Sequence, residues 1–175
     1  MAWTNAPAMV YHGTTQTQAA QIVANGVDPA KGRLAADFGQ GFYLTSVLGQ
    51  AQEWANQKTR IAGGGERAAV LVFNIDRDLM GALGDHLAFL VPNLAFYDFV
   101  LFNRLKNLKH GRASKIPYDV VYGPVSLYPQ NLTIASCDQI CIVAGSASMN
   151  SAIEALGKPN PDPLLGDPLF EPMVA

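Results

Sequence analysis

The apolar residues of this chain are gathered into short runs, and that segmentation limits its folding choices more than any other feature. No uncharged run approaches the ~18–20 residues that cross a bilayer. Ala8 to Tyr11, Phe42-Tyr43-Leu44, Ala69 to Phe73, Asp119 to Tyr122, Leu132-Thr133-Ile134 and Ile140 to Val143 read as strands. Helical spacing lies between them. Thr15 or Thr17 caps a helix over 16–25 that Gly26 ends, and Ser46 caps another to about residue 58 with Val47, Ala51, Trp54 and Ala55 in one stripe. Residues 85–110 are predominantly helical with a break near Pro92; Leu101, Leu105 and Leu108 fall at core spacing. A last helix covers about 148–156. Short strands, unevenly spaced helices and no internal repeat give an α+β fold.

A chain of 175 residues predicts one domain, taken as 1–157, followed by a proline-rich tail at 158–175. The tail holds five of the eleven prolines, so it cannot be regular helix and is either a wrapped arm or disordered. With 49% hydrophobic and 15% charged residues the chain can bury a sizeable core, which excludes a mainly disordered protein. Twelve basic against fourteen acidic residues give a net charge of -2, which argues against a globally basic nucleic-acid binder. A local basic cluster remains: Arg104, Lys106, Lys109, Arg112 and Lys115 form either a solvated helix face or a landing patch for an acidic partner or nucleic acid. The N-terminus lacks the basic start and apolar stretch of a signal peptide. Cys137 and Cys141, four apart in a strand, would lie ~13 Å from each other, too far for a disulfide. Free thiols suit a reducing cytoplasm, with delivery by a non-classical route as the alternative.

Three segments carry candidate chemistry. Tyr11-His12-Gly13-Thr14 puts an imidazole at a strand end before a glycine and a hydroxyl. Asp37-Phe38-Gly39-Gln40-Gly41-Phe42-Tyr43-Leu44-Thr45 is an aromatic strand entered by two glycines. Asp138-Gln139 heads a late apolar strand. Each alone is equally a capping, core or turn feature. In this order, and with Gln50-Ala51-Gln52-Glu53-Trp54-Ala55 and Asp119 to Pro124, they resemble the ADP-ribosyltransferase superfamily. The likeness is to the His-Tyr-Glu branch of diphtheria-type toxins and poly-ADP-ribose polymerases, and most of all to small bacterial domains of that group. It spans roughly residues 9–145.

The resemblance implies a split β-sheet core flanked by helices, NAD as substrate, and no metal. It implies that His12 reaches a ribose hydroxyl and that the Gly13 backbone binds the nicotinamide carboxamide, a missing Cβ allowing close approach. Thr14 falls in the same binding segment. Tyr43 and Trp54 would sandwich the pyridinium, worth ~0.5–2 kcal/mol per face. Thr45 would add a hydroxyl, and Arg33 is the nearest candidate for the pyrophosphate. The partner would be a macromolecular acceptor, protein or nucleic acid, with an antitoxin or immunity protein if the chain is a bacterial toxin or effector.

One position departs from the family. Where its members carry a glutamate, this sequence has Gln139, preceded by Asp138. An amide brings no negative charge to a developing cation, which by analogy slows the chemical step ~10²–10³-fold. Gln139 then serves an acceptor with its own nucleophile, or Asp138 substitutes, or the chain binds NAD or ADP-ribose without turnover; an NAD glycohydrolase is the further alternative. Strand alternation sends only one of the pair toward a pocket, taken as Gln139, and replacement of Gln139 by glutamate is expected to keep or quicken nicotinamide release.

Other glycine and histidine features carry less. Gly63-Gly64-Gly65 precedes a strand rather than opening a helix, so it is a connector. Ala144 to Ser148 offers a small-residue turn before a helix, without dinucleotide spacing, and reads as capping. His86 and His110 show no ligand-like spacing.

Overall fold

The computed structural model describes residues 5–106, 110–112 and 114–172. Its elements run β1 (Ala8–Thr15), α1 (Gln16–Asn25), β2 (Gly41–Leu44), α2 (Leu48–Ala62), β3 (Ala68–Ile75), α3 (Arg77–Gly81), β4 (His86–Ala88), α4 (Leu94–Lys106), β5 (Val120–Ser126), β6 (Thr133–Val143), α5 (Met149–Leu156) and β7 (Leu164–Leu165). The mixed α and β content agrees with the expected class. The chain forms two compact units: Met1–Val27, Leu44–Asp78 and Ala155–Ala175 make the first, Asp28–Tyr43 and Leu79–Glu154 the second. Of the proline-rich tail, the described residues 158–172 fall in the first unit.

In the first unit the sheet order is β1-β3-β7. β1 and β3 pair antiparallel from Ala8 opposite Ile75 to Thr15 opposite Ala68. Thr15 ends the strand and caps α1 by accepting from the Gln18 N–H, and Gly26 at φ 84° closes that helix, as its sequence predicts. α2 packs on the sheet through Ala51 and Ala55 against Ala68 and Val70. The proline-rich segment is an arm: β7 pairs with β3, Gly166 N–H donates to the Ala68 carbonyl, and Asn56 exchanges two hydrogen bonds with the Phe170 backbone at 2.8 and 2.9 Å.

In the second unit the order is β2-β6-β5-β4, with β5 and β6 antiparallel and β4 parallel to β5. The sequence suggested two strands where β6 is one, because the register shift between Pro124 and Val125 lets a single strand absorb an irregular middle. Residues 86–88, expected in a helix, pair as β4 instead. Phe38, Phe96, Val100, Val121, Cys141 and Val143 form the core. The helix face expected inside is turned outward: Leu101 is 44% and Leu105 61% exposed, while Phe96, Val100 and Asn103 are buried. Spacing alone did not fix the phase, since aromatic Phe96 outweighs the leucines; Leu108 and Lys109 lie outside the described residues. No described helix is long and apolar enough to cross a membrane.

Candidate functional site

In the first unit the segment His12-Gly13-Thr14 closes β1. Tyr11 exchanges both backbone hydrogen bonds with Thr45, at 2.8 and 3.0 Å, on the side of β1 away from β3. Peptide directions alternate along a strand, so the N–H and C=O of Gly13 also point away from β3. His12 then bonds toward β3, opposite Leu71, with its half-buried side chain on the other face from its neighbours. The Gly13 carbonyl accepts a hydrogen bond from the Lys58 ammonium at 2.8 Å.

Gly13 is needed for a reason other than ligand approach. A Cβ there would overlap the Ala51 carbonyl oxygen and come within 2.9 Å of Ala55 N, so α2 lies backbone-on-backbone against the strand. Lys58 sits two turns beyond Ala51 on the same side of α2, which is why it reaches β1. Burial without a counter-charge lowers its pKa to about 8. Trp54 lies one turn before Lys58 and is 44% exposed, so the expected apolar stripe omits it and its ring is open to a ligand. Lys58 also lines a cleft of about 510 Å³ with Thr15, Thr17, Gln18, Gln21 and Glu66. Thr17 donates its hydroxyl to Glu66, and this bond holds the Glu66 carboxyl below its usual range.

The hydroxyls expected in a pocket are engaged locally. Thr14 is buried and donates to the Gln18 side chain at 2.6 Å. Thr45 is buried, donates to Gln50 at 2.9 Å and accepts from Val47 N–H at 3.0 Å. Thr45 therefore secures the start of α2, the role expected of Ser46; the helix's own N-cap, Val47, makes no side-chain cap bond.

In the second unit Asp37 is the organising group, and its role was missed in the sequence. Its buried carboxylate accepts from Arg104 Nε at 2.7 Å, Ser126 N–H at 3.1 Å and Gln139 Nε2 at 2.8 Å. Gln139 also donates to the Pro124 carbonyl at 3.0 Å. It was expected to face a ligand pocket; it is buried instead, with both amide hydrogens committed to its own unit. Asp138 is half-buried beside it. The Tyr43 hydroxyl donates to the Gly39 carbonyl at 2.7 Å and accepts from Phe38 N–H at 2.9 Å. Its ring stacks on Phe38 with centroids 6.3 Å apart. Burial first, and then Cys141, hold the phenol well above its ordinary pKa, so it stays neutral. Arg33 is exposed on the loop before Asp37.

Of the basic cluster, Arg104 pairs with Asp37, and Arg112 pairs with Asp85 while lying 4.1 Å from the Tyr118 ring centroid. Two of its five charges are thus spent inside the unit; Lys109 and the Lys106 side chain are outside the described residues. The N–H of Ser148, in the turn considered for phosphate, donates to the Asp119 carboxylate at 2.7 Å. Among the described residues no group of three or more His, Cys, Asp or Glu could hold a metal ion.

A family model described as "Protein of unknown function (DUF3990)" matches residues 8–154, from the first strand into α5. The chain belongs to the DUF3990 family. No curated protein matches it. The DUF3990 match takes in every residue discussed above, from His12 to Gln139, and stops before the arm that carries β7.

Proposed function

We propose that this DUF3990 protein binds NAD and acts as an ADP-ribosyltransferase, releasing nicotinamide and passing ADP-ribose to a protein or nucleic-acid acceptor. The observation that supports it is the outward peptide of Gly13, whose carbonyl takes a donor from Lys58 on α2, the helix that carries exposed Trp54 one turn earlier. A carboxamide offers that donor and, on the same ligand, a flat cation for the indole. His12 lies next in the chain as the hydrogen-bonding group for a ribose hydroxyl.

A second reading is binding of NAD or ADP-ribose without turnover, and Gln139 favours it. Its amide is engaged by Asp37 and Pro124, and it supplies no charge to a developing oxocarbenium ion. Titration calorimetry with NAD, together with nicotinamide release in the presence and absence of cell lysate, separates the cases. Label transferred to lysate supports the transferase; release independent of lysate marks a glycohydrolase; binding without release marks the module. Trp54→Ala and His12→Ala are each expected to weaken NAD at least fivefold. Unchanged affinity in both variants refutes NAD recognition by this segment.

A further inference from the structure

The Gly13 carbonyl is not waiting for a ligand; it already has a donor from its own chain. Lys58 reaches it at 2.8 Å from α2, the helix whose backbone is wedged against the same glycine. We propose that Lys58 is a built-in competitor, occupying the Gly13 carbonyl until a ligand carboxamide displaces it, so that carboxamide binding is coupled to proton uptake by the displaced Lys58. This rests on the NAD proposal above and adds its regulation.

Three features make the lysine a displaceable occupant rather than a fixed strut. It forms no ion pair among the described residues, so a single hydrogen bond holds it. It borders a cleft of about 510 Å³ into which the side chain can swing. Burial disfavours the protonated form where it stands, the amine's pKa falling to about 8, so an amine displaced toward solvent, at the ordinary ~10.4, takes up a proton above that pH.

The surrounding charges leave that step to Lys58. Glu66 is the other charged residue lining the cleft, and its pKa is lowered, so it stays ionised throughout. On α2 itself Glu53 and Arg60 lie five residues before and two after Lys58, more than a third of a helical turn off its face. α1 contributes uncharged Thr17, Gln18 and Gln21. His12 is the ionisable group next to Gly13 on β1.

Calorimetry of NAD with the full chain, Lys58→Met and Lys58→Arg at pH 6.5, 7.5 and 8.5 provides the test. With a pKa of about 8 in place and ~10.4 when displaced, wild-type affinity should fall about fourfold from pH 6.5 to 8.5. Lys58→Met, with no competitor, should bind more tightly than wild type at every pH and without that slope, and Lys58→Arg should bind weakly and also without it. NAD binding with no slope in wild type, or with the same slope in Lys58→Met, overturns the competition and leaves NAD recognition standing. Absence of binding by all three proteins overturns both. As a readout free of ligand, NMR titration of the Lys58 amine should give a midpoint near 8 that the Gly13 carbonyl carbon follows. A midpoint near the ordinary ~10.4 with an unresponsive carbonyl refutes the competition whatever NAD does.

Discussion

Replacing Gln139 by glutamate separates the structural account of this position from the one its sequence context suggests. The Gln139 Nε2 lies 2.8 Å from Asp37 Oδ2, inside the second unit, and Asp37 has no other place to go. Gln139→Glu puts two carboxyls at that separation, and two cannot both ionise there. The introduced acid must keep its proton to donate in place of the amide. Its folded pKa is therefore raised above the unfolded value of ~4.3, and each pH unit above that value costs about 1.4 kcal/mol until the folded pKa is reached. Full protonation at pH 7.5 would cost about 4 kcal/mol; the Arg104 guanidinium, already on Asp37, returns part of it. The expected loss is thus about 2–4 kcal/mol at pH 7.5 and about 1 kcal/mol at pH 4.5, where only the bond to the Pro124 carbonyl is missing. Urea unfolding followed by near-ultraviolet circular dichroism of the tyrosines reads this unit, since five of the six tyrosines belong to it. Wild-type stability of Gln139→Glu at pH 7.5, or a loss that does not shrink on acidification, refutes the bond to Asp37. A variant that gains nicotinamide release without losing stability would restore the catalytic expectation for this position.

Other perturbations probe separate contacts. Gly13→Ala should destabilise the first unit by about 1–3 kcal/mol or prevent its folding, read by Trp54 fluorescence in urea, because the added methyl meets α2 backbone rather than a movable side chain. Asn56→Ala removes both hydrogen bonds to Phe170, so a loss of about 2–3 kcal/mol and faster proteolytic cleavage within 158–170 are expected; an unchanged cleavage rate means the arm is held elsewhere. The Cys141 thiol, pushed up to about 12 by burial, should resist iodoacetamide in the native protein at pH 8 while half-buried Cys137 reacts first, as mass spectrometry of the labelled peptides will show.

Much of the element order was legible because it rests on local signals. Thr15 before a polar first turn and Gly26 after Asn25 mark α1, and the run from Ala69 to Phe73 marks the middle of β3. What local signals do not contain is which partner a side chain meets. Leu101 and Leu105 have helical spacing, yet that spacing fits two faces of α4, and the face is chosen by Phe96 packing edge-on against Phe38 and Phe89, both outside the helix. The fate of the prolines after residue 158 depends on the open edge of β3 and on Asn56, neither of which their composition reports. Lys58 left a trace that was passed over: it continues the column of Ala51 and Ala55 on α2, a basic residue at a position where burial would favour an apolar one.

The motif from Asp37 to Gly41 contributes much of the family likeness, and nearly every residue in it has a folding task. Asp37 gathers Arg104, Ser126 and Gln139. Phe38 is fully buried at the centre of the aromatic core. Gly39 provides the carbonyl for Tyr43 at φ 85°, where other residues are strained. A Cβ on Gly41 would strike the Cys141 sulfur and the Ile142 carbonyl. Such a motif would persist in a member of the fold that had lost catalysis, so its presence is weak support for turnover. His12, Trp54 and Lys58 stand differently: the half-buried imidazole, exposed indole and desolvated amine are not explained by packing alone. Variants at those three positions, rather than at the conspicuous glycines, therefore decide whether NAD is the ligand, because they change what a ligand meets while leaving the Asp37 network untouched.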